Sequence, residues 1–210
     1  REERVFHAGE PTSLDWAKLV SLAYSRRVSL SAQAHYATPG IHFDRSKEKG
    51  EPFAYHVYGT AVCEVTLDCL RGTYEIDAVK VVHDLGPTLD PLSDYGQVEG
   101  GIVQGIGWLT MEEVLHSSEG RLVSRDLSTY KVPDIHFIPR ELEVHFLEDT
   151  VNPLGVFNAK AIGEPPFLYG IGVYYALRAA MRAYRPDREL PLAAPLTPER
   201  VLCLIYEGSP

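Results

Sequence analysis

The chain has 210 residues, of which 45% are hydrophobic and 23% are charged, and its formal net charge is −9. These values are typical of a folded globular protein with one large domain or two small ones, and they exclude an intrinsically disordered chain. The excess of negative charge disfavours binding to nucleic acid or to an anionic membrane surface.

The cysteines Cys63, Cys69 and Cys203 are odd in number and form no C-x-x-C pair. We therefore expect neither a disulfide framework nor a structural zinc site. We do expect a reducing, cytoplasmic compartment. The chain opens with Arg1-Glu2-Glu3-Arg4 rather than Met, and it has no apolar stretch long enough to cross a bilayer. The sequence thus predicts a segment of a longer, membrane-free polypeptide.

The first predicted element is a helix over residues 12–25. Thr12 or Ser13 is the expected cap, because Thr12 and Asp15 have the spacing of a capping box and apolar residues then recur at helical intervals. Residues 37–52 are rich in Gly, Pro and charge, and residues 46–51 indicate a solvated loop. We place a connection there, and with it the expected subdomain break.

Alternating apolar and polar residues predict strands in the middle of the chain. Residues 55–68 and 73–83 flank the turn-like Arg71-Gly72 and indicate an antiparallel hairpin, and residues 141–147 indicate another strand. Helices are expected over residues 171–183, with an apolar stripe of Tyr174, Leu177, Met181 and Tyr184, and after Thr197-Pro198. The fold class is α+β, with a mixed or antiparallel sheet packed with helices.

Residues 96–107 contain five glycines in twelve positions and lead into a helix-like stretch over residues 108–115. Glycine inside a helix costs about 0.5–1 kcal/mol relative to alanine, so this density requires a reason. One interpretation is close packing of a buried helix against a sheet, and the other is a helix start that faces an anionic ligand. Gln97 stands out because its amide can donate a hydrogen bond to an oxygen of a metal centre.

Glu164 lies in Gly163-Glu164-Pro165-Pro166, among apolar neighbours. Pro165 favours an extended backbone at Glu164, and two consecutive prolines stiffen the chain after it, so the carboxylate would be held rigidly, as a catalytic base requires. Burial would raise the pKa of such a carboxylate towards neutral. A solvated surface turn is the competing interpretation, because glutamate is seldom fully buried.

Several motifs occur in a fixed order: Gly96-Gln97-Val98-Glu99-Gly100, Gln104-Gly105, Ser128-Thr129-Tyr130-Lys131-Val132-Pro133 and Lys160-Ala161-Ile162-Gly163-Glu164-Pro165-Pro166. In this order they resemble the xanthine dehydrogenase family, and the separation of 67 residues between Gln97 and Glu164 agrees with that family's layout. The stretches Val28-Ser29-Leu30-Ser31 and Tyr58-Gly59-Thr60-Ala61-Val62-Cys63-Glu64-Val65 are also similar. The resemblance therefore covers nearly the whole chain, as the C-terminal segment of a molybdopterin-binding region.

The resemblance implies roles for particular residues. Glu164 would be the general base, Gln97 would contact the molybdenum centre, and Gly163 would allow close approach of cofactor or substrate. Lys160 and Glu99 are weaker candidates, because a salt bridge or a solvated face explains either. The scattered histidines lack a metal-ligand spacing, and we assign them no chemistry and no metal site.

The resemblance also implies an activity: hydroxylation of hypoxanthine and xanthine with oxygen from water, as in purine catabolism. Molybdopterin is the expected cofactor, while iron–sulfur clusters, FAD and NAD would serve the full enzyme through other domains or subunits of an oligomeric assembly. Another molybdenum hydroxylase, acting on aldehydes or other N-heterocycles, is an alternative, and so is a non-catalytic structural module. The segment alone is expected to be inactive and to bind the cofactor poorly.

Overall fold

The computed structural model describes residues 4–206. Its contacts divide the chain into a first unit that ends at Ala37 and a second that begins at Thr38. Along the described residues, no helix combines the length and apolar character needed to cross a membrane.

The first unit contains the antiparallel strands β1 (Arg4–His7) and β2 (Glu10–Asp15), followed by helix α1 (Trp16–Ser25). The predicted helix start at Thr12 or Ser13 is wrong. Thr12 lies in β2, where its hydroxyl donates to the carbonyl of Val5 at 2.7 Å, and strand pairing occupies the backbone up to Asp15. Asp15 is the actual cap, since its carboxylate accepts a hydrogen bond from the amide of Lys18 at 2.8 Å.

The second unit opens with a short antiparallel hairpin, β3 (His42–Asp44) and β4 (Lys49–Glu51). The sequence predicted only a solvated loop here, and that prediction is wrong for the strands, although their residues are largely exposed. The Asp44 carboxylate stabilises the turn, because it accepts hydrogen bonds from the amide and the hydroxyl of Ser46 at 2.9 and 2.6 Å.

A mixed sheet in the order β5-β6-β7 forms one layer of this unit: β5 (Gly59–Leu67), β6 (Tyr74–His83) and β7 (Glu141–Phe146). The predicted antiparallel hairpin is confirmed as β5 and β6, and β7 lies parallel to β6. Alternation along the second half of β6 buries Val79, Val81 and His83, while Lys80 and Val82 are exposed on the other face.

The other layer consists of α2 (Pro91–Thr110), α3 (Gly170–Tyr184) and α4 (Pro198–Tyr206). Helix α3 contacts both α2 and β5, and α2 contacts β7, so the core lies between helices and sheet. The α+β fold class and the helices α3 and α4 are confirmed. Of the predicted stripe on α3, Leu177 and Met181 are fully buried, whereas Tyr184 is half exposed.

Helix α2 differs most from the sequence prediction. The whole glycine-rich segment lies inside α2, and α2 ends at Thr110, so the predicted helix over residues 108–115 is confirmed up to Thr110 and wrong after it. The helix begins well before the glycines, where Pro91 occupies the first turn and the Asp94 carboxylate accepts from the amide of Leu89 at 3.0 Å. Val98, Ile102 and Ile106 recur every four residues and are fully buried, each worth about 1.5–3 kcal/mol of hydrophobic stabilisation.

Candidate functional site

Glu164 immediately precedes a 3₁₀ helix, Pro165–Tyr169, that leads directly into α3. Its backbone is helical, with φ −99° and ψ −41°, so the extended conformation expected before Pro165 is wrong. The turn compensates for the crowding before proline, because the carbonyl of Glu164 accepts a hydrogen bond from the amide of Phe167 at 3.1 Å. The side chain of Glu164 is exposed, so the described residues do not supply the partial burial expected of a base.

Helix α2 packs directly against this turn through its glycines. A Cβ on Gly101 would lie 3.1 Å from Cβ of Pro166, and a Cβ on Gly105 would lie 2.0 Å from the carbonyl oxygen of Phe167. Close packing is therefore the correct interpretation at these two positions, with the 3₁₀ turn as the partner rather than a sheet. A ligand-facing helix start is wrong, since the glycines lie in mid-helix.

Gln97 is exposed on α2, one helical turn before Gly101. Residues four apart share a helix face, and a Cβ on Gly101 would lie 3.6 Å from the carbonyl oxygen of Gly163. The structure thus brings Gln97, Gly163 and Glu164 to the same side of α2. Gly163 is itself exposed, and a Cβ added there would meet no described atom within 4 Å.

An apolar groove of about 890 Å³ adjoins Glu164. Most of its lining comes from the segment before β5 and from the 3₁₀ turn: Ile41, Pro52, Phe53, Ala54, Tyr55, His56, Val57, Ala161, Glu164, Pro165, Phe167 and Leu168. The groove therefore places aromatic and aliphatic surface beside one carboxylate, an arrangement suited to a flat apolar molecule with a reactive edge.

Glu99, a weaker candidate, is half-buried and lines a separate groove of about 770 Å³.

Lys160, the other weaker candidate, forms an ion pair with Asp84, the residue after β6. The pair is buried, with side-chain exposures of 9% for Lys160 and 4% for Asp84. Lys160 Nζ also donates to the carbonyl of His56 at 3.1 Å and lies 5.9 Å from the centre of the Tyr58 ring. The salt bridge foreseen for Lys160 is thus an interior one, which costs desolvation and fixes both partners.

His83, the last residue of β6, contacts the 3₁₀ turn that comes after Glu164. Its Nδ1 lies 2.7 Å from the hydroxyl of Tyr169, and the two rings meet edge to face at 89°. His83 is fully buried, and its Nε2 finds no hydrogen-bond partner among residues 4–206. The histidine therefore holds Tyr169 through one nitrogen and carries an unsatisfied polar atom at the other.

The ionisation of these groups is set by their surroundings. Burial would raise the pKa of Asp84, but hydrogen bonds from Lys160, Thr150 and the amide of Gly86 outweigh it and hold that pKa below its ordinary value. Burial lowers the pKa of His83, and the nearby Asp84 carboxylate only partly opposes this. Burial also raises the pKa of the Tyr169 hydroxyl. Near neutral pH the cluster therefore holds a paired carboxylate, a neutral imidazole and a neutral phenol.

The sequence did not point to His83, Asp84 or Tyr169 as site residues. The available signal was weak: an apolar strand that ends in the polar pair His83-Asp84, with the turn residues Gly86-Pro87 shortly after it. In the part of the chain that is described, no group of three or more His, Cys, Asp or Glu side chains is arranged to hold a metal ion.

The chain is similar to known proteins in sequence and in fold. Residues 1–139 match the family model described as Molybdopterin cofactor-binding domain. The chain is 40% identical over 190 residues to a xanthine dehydrogenase/oxidase of Gallus gallus, and 38% identical over 197 residues to a xanthine dehydrogenase of Oryza sativa subsp. japonica. Each alignment covers 89% of this chain but only 14% of the relative, so the chain spans about a seventh of their length.

Solved structures agree with these relatives. An aldehyde oxidoreductase from Desulfovibrio gigas matches with a TM-score of 0.68 and 25% identity, over 88% of this chain and 19% of that one. Quinoline 2-oxidoreductase from Pseudomonas putida 86 matches with a TM-score of 0.61 and 30% identity, over 68% of this chain and 18% of that one. The similarity thus extends from sequence to three-dimensional fold.

Proposed function

Because this chain belongs to the molybdopterin cofactor-binding domain family, we propose that it is the C-terminal molybdopterin-binding segment of a xanthine dehydrogenase. In this proposal Glu164 is the general base, and Gln97 and Gly163 lie against the cofactor. The observation that carries it is the packing of α2 against the 3₁₀ turn, which puts all three residues on one side of the helix.

The exposed residues near this turn fit a flat organic cofactor. Added Cβ atoms at Gly96, Gly100 and Gly163 would meet no atom of residues 4–206 within 4 Å, so the backbone is open to close approach. The exposed amide of Gln97 on the same helix can donate to an oxygen without adding charge. Both features support a surface that holds a cofactor through its backbone and neutral donors.

Glu164 would accept the proton of the water-derived oxygen nucleophile that attacks an electron-poor carbon of the substrate. Its place before two prolines and its hydrogen-bonded turn limit the backbone freedom of the carboxylate. The exposure of Glu164 in this chain supports a site that other parts of the longer protein close, which would exclude water and bring its pKa into the working range.

The bound molybdenum cofactor supplies the two-electron redox chemistry that side chains cannot. The chain's own contribution is to position it: Gln97 donates a hydrogen bond, and Gly163 keeps the approach to Glu164 clear. Iron–sulfur clusters, FAD and NAD would act through the remaining domains or subunits of a cytoplasmic, oligomeric holoenzyme. Residues 1–210, with the subdomain break near 37–52, remain our proposal for the extent of the segment.

The proposed substrate is a purine such as hypoxanthine or xanthine. The apolar groove beside Glu164 supports a flat heterocycle, since Phe53, Tyr55 and Phe167 offer aromatic surface. A second candidate is a hydroxylase of aldehydes or other N-heterocycles, which the similarity to quinoline and aldehyde oxidoreductases favours. Turnover of purines, quinolines and aldehydes by the full-length enzyme separates the two candidates.

The proposal is tested with Glu164→Gln in the full-length enzyme, because this change keeps shape and removes the base. We expect turnover to fall by a factor of about 10² or more, the usual contribution of a positioned general base, with molybdenum content near normal. The same substitution at the exposed Glu148 is the control and should leave turnover unchanged. Activity of Glu164→Gln within a few-fold of wild type contradicts the proposal.

Metal analysis addresses the alternative of a non-catalytic module. We expect the isolated 210 residues to contain little or no molybdenum and to show no turnover, because the site needs parts of the longer protein. Stoichiometric molybdenum and pterin in the isolated segment would contradict our proposal that the site of this segment is incomplete. A full-length protein that never acquires molybdenum would instead favour a structural module.

A further inference from the structure

The segment that carries Glu164 is held at both ends by two adjacent residues at the end of β6. We propose that His83 and Asp84 form a clamp that positions Glu164, with Lys160 as the contact before it and Tyr169 as the contact after it. This role rests on the proposed function of Glu164 and extends it to residues that do not touch the reacting atoms. They are positioning residues.

The contact before Glu164 is the buried ion pair between Asp84 and Lys160. It is reinforced at the backbone, where the amide of Lys160 donates to the carbonyl of Leu85 at 2.8 Å. The pair cannot separate without leaving an uncompensated buried charge, which is strongly unfavourable. Position 160 is therefore fixed to the end of the strand by both its side chain and its main chain.

The contact after Glu164 is the hydrogen bond between His83 Nδ1 and the Tyr169 hydroxyl, at 2.7 Å. It is made possible by Gly59 on the neighbouring strand β5, which pairs with His83. A Cβ at Gly59 would lie 1.7 Å from the Tyr169 hydroxyl oxygen, so only glycine leaves room for the phenol. The strand pair thus forms a socket for Tyr169.

Eight residues, positions 161–168, lie between the two contacts. A loop whose ends are fixed to the last residue of a core strand and to the residue directly after it has few ways to shift, and Pro165 and Pro166 restrict it further. On the far side, α2 contacts the same turn at Gly105. Displacement of a catalytic group by about 1 Å can cost a factor of about 10² in rate, so a clamp of this kind affects kcat.

Tyr169→Phe in the full-length enzyme tests the clamp, because it removes one hydroxyl and leaves the ring. We expect hydrogen exchange of the amides in residues 161–168 to become about tenfold faster. We also expect kcat to fall about 10–100-fold, with KM and molybdenum content nearly unchanged. Exchange depends on local opening of the segment, so it reports on positioning without depending on activity.

Tyr74→Phe is the matched control. The Tyr74 hydroxyl donates to the carbonyl of Leu196 at 2.7 Å and lies 3.2 Å from that of Thr110, so this change also removes a partly buried hydroxyl from the same fold. It should leave kcat and exchange in residues 161–168 at wild-type levels. Unchanged exchange in Tyr169→Phe, or an equal increase in both variants, would overturn the clamp.

Asp84→Asn tests the other contact, and Glu141→Gln is its control because it removes one of the two exposed ion pairs that Lys80 of β6 makes. We expect faster exchange in residues 161–168 only in Asp84→Asn; equal exchange in the two variants would overturn the clamp. If Asp84→Asn does not fold, Tyr169→Phe alone decides. An active Glu164→Gln enzyme would remove the proposed base, whereas the exchange measurements would still establish or overturn the clamp.

Discussion

Gly105 of α2 and Gly170 at the start of α3 lie in direct backbone contact. A Cβ on Gly170 would lie 2.2 Å from the carbonyl carbon of Gly105, and a Cβ on Gly105 would lie 3.4 Å from Cα of Gly170. This contact joins α2 to the start of α3, directly after the 3₁₀ turn that follows Glu164, and it explains why α2 carries a glycine at position 105.

Gly105→Ala should therefore destabilise the protein. The new methyl group would lie 2.0 Å from the carbonyl oxygen of Phe167, and backbone cannot move aside cheaply. We expect a loss of about 1–3 kcal/mol, the range for overpacked cores, measured by urea denaturation of the full-length protein.

Gly96→Ala is the control for this change, because a Cβ there meets no described atom within 4 Å. Alanine is the better helix former, so this variant should be neutral or more stable by up to about 1 kcal/mol. Equal destabilisation by the two substitutions would contradict the assignment of Gly105 as the packing contact.

The buried ion pair predicts a strong coupling between Asp84 and Lys160. Asp84→Asn leaves the Lys160 ammonium without its counter-ion, and Lys160→Met leaves the carboxylate, so each should cost about 3–5 kcal/mol. The double variant should cost clearly less than the sum, with a coupling energy of at least about 1 kcal/mol in a double-mutant cycle. Additive losses would mean that the two charges do not stabilise each other.

Part of this structure could be predicted from the sequence because the signals are local. The alternation that indicates β5 and β6 and the apolar stripe of α3 depend on neighbouring residues, and both elements are present. The start of α1 was missed because Thr12 and Asp15 are both acceptable caps, and pairing between β1 and β2 decides between them.

The contacts around the candidate site could not be predicted in the same way, since they join residues far apart in the chain. The hydrogen bond of His83 to Tyr169 spans 86 positions, and the contact of Asp84 with Lys160 spans 76. The length of helix α2 was underestimated because its glycines lower local helix propensity, whereas packing against the turn after Glu164 requires two of them, Gly101 and Gly105. Gln97 and Glu164 were linked only through a family resemblance.

Because His83 is buried as a neutral imidazole, we expect the protein to become less stable on acidification. Burial lowers the pKa of His83 below its value in an unfolded chain, about 6.5, so the folded state holds the imidazole neutral. Below that pH the unfolded chain binds a proton that the folded chain does not bind. The free energy of unfolding therefore declines by up to about 1.4 kcal/mol per pH unit. Asp84 and Tyr169 face the ring, but the lowered pKa of Asp84 and the raised pKa of Tyr169 keep both outside this window.

His83→Gln removes this titration. Hydrogen exchange of the β6 amides, corrected for intrinsic rates, should show protection falling between pH 7.5 and pH 5.5 in the wild type and falling less in the variant. Parallel pH dependence in the two proteins would assign the acid sensitivity to other groups.

Gln97 offers a test of the cofactor side of the proposal, because Gln97→Glu keeps the shape of the side chain and replaces its donor with an anionic acceptor. If Gln97 donates to the bound cofactor, turnover should fall by a factor of about 10²–10³, the usual cost of losing one such donor. Gln104→Glu, on the same helix two turns later and also exposed, is the matched control. Equal loss in both variants would indicate a general effect of added negative charge on α2, whereas full activity of Gln97→Glu would remove Gln97 from the site.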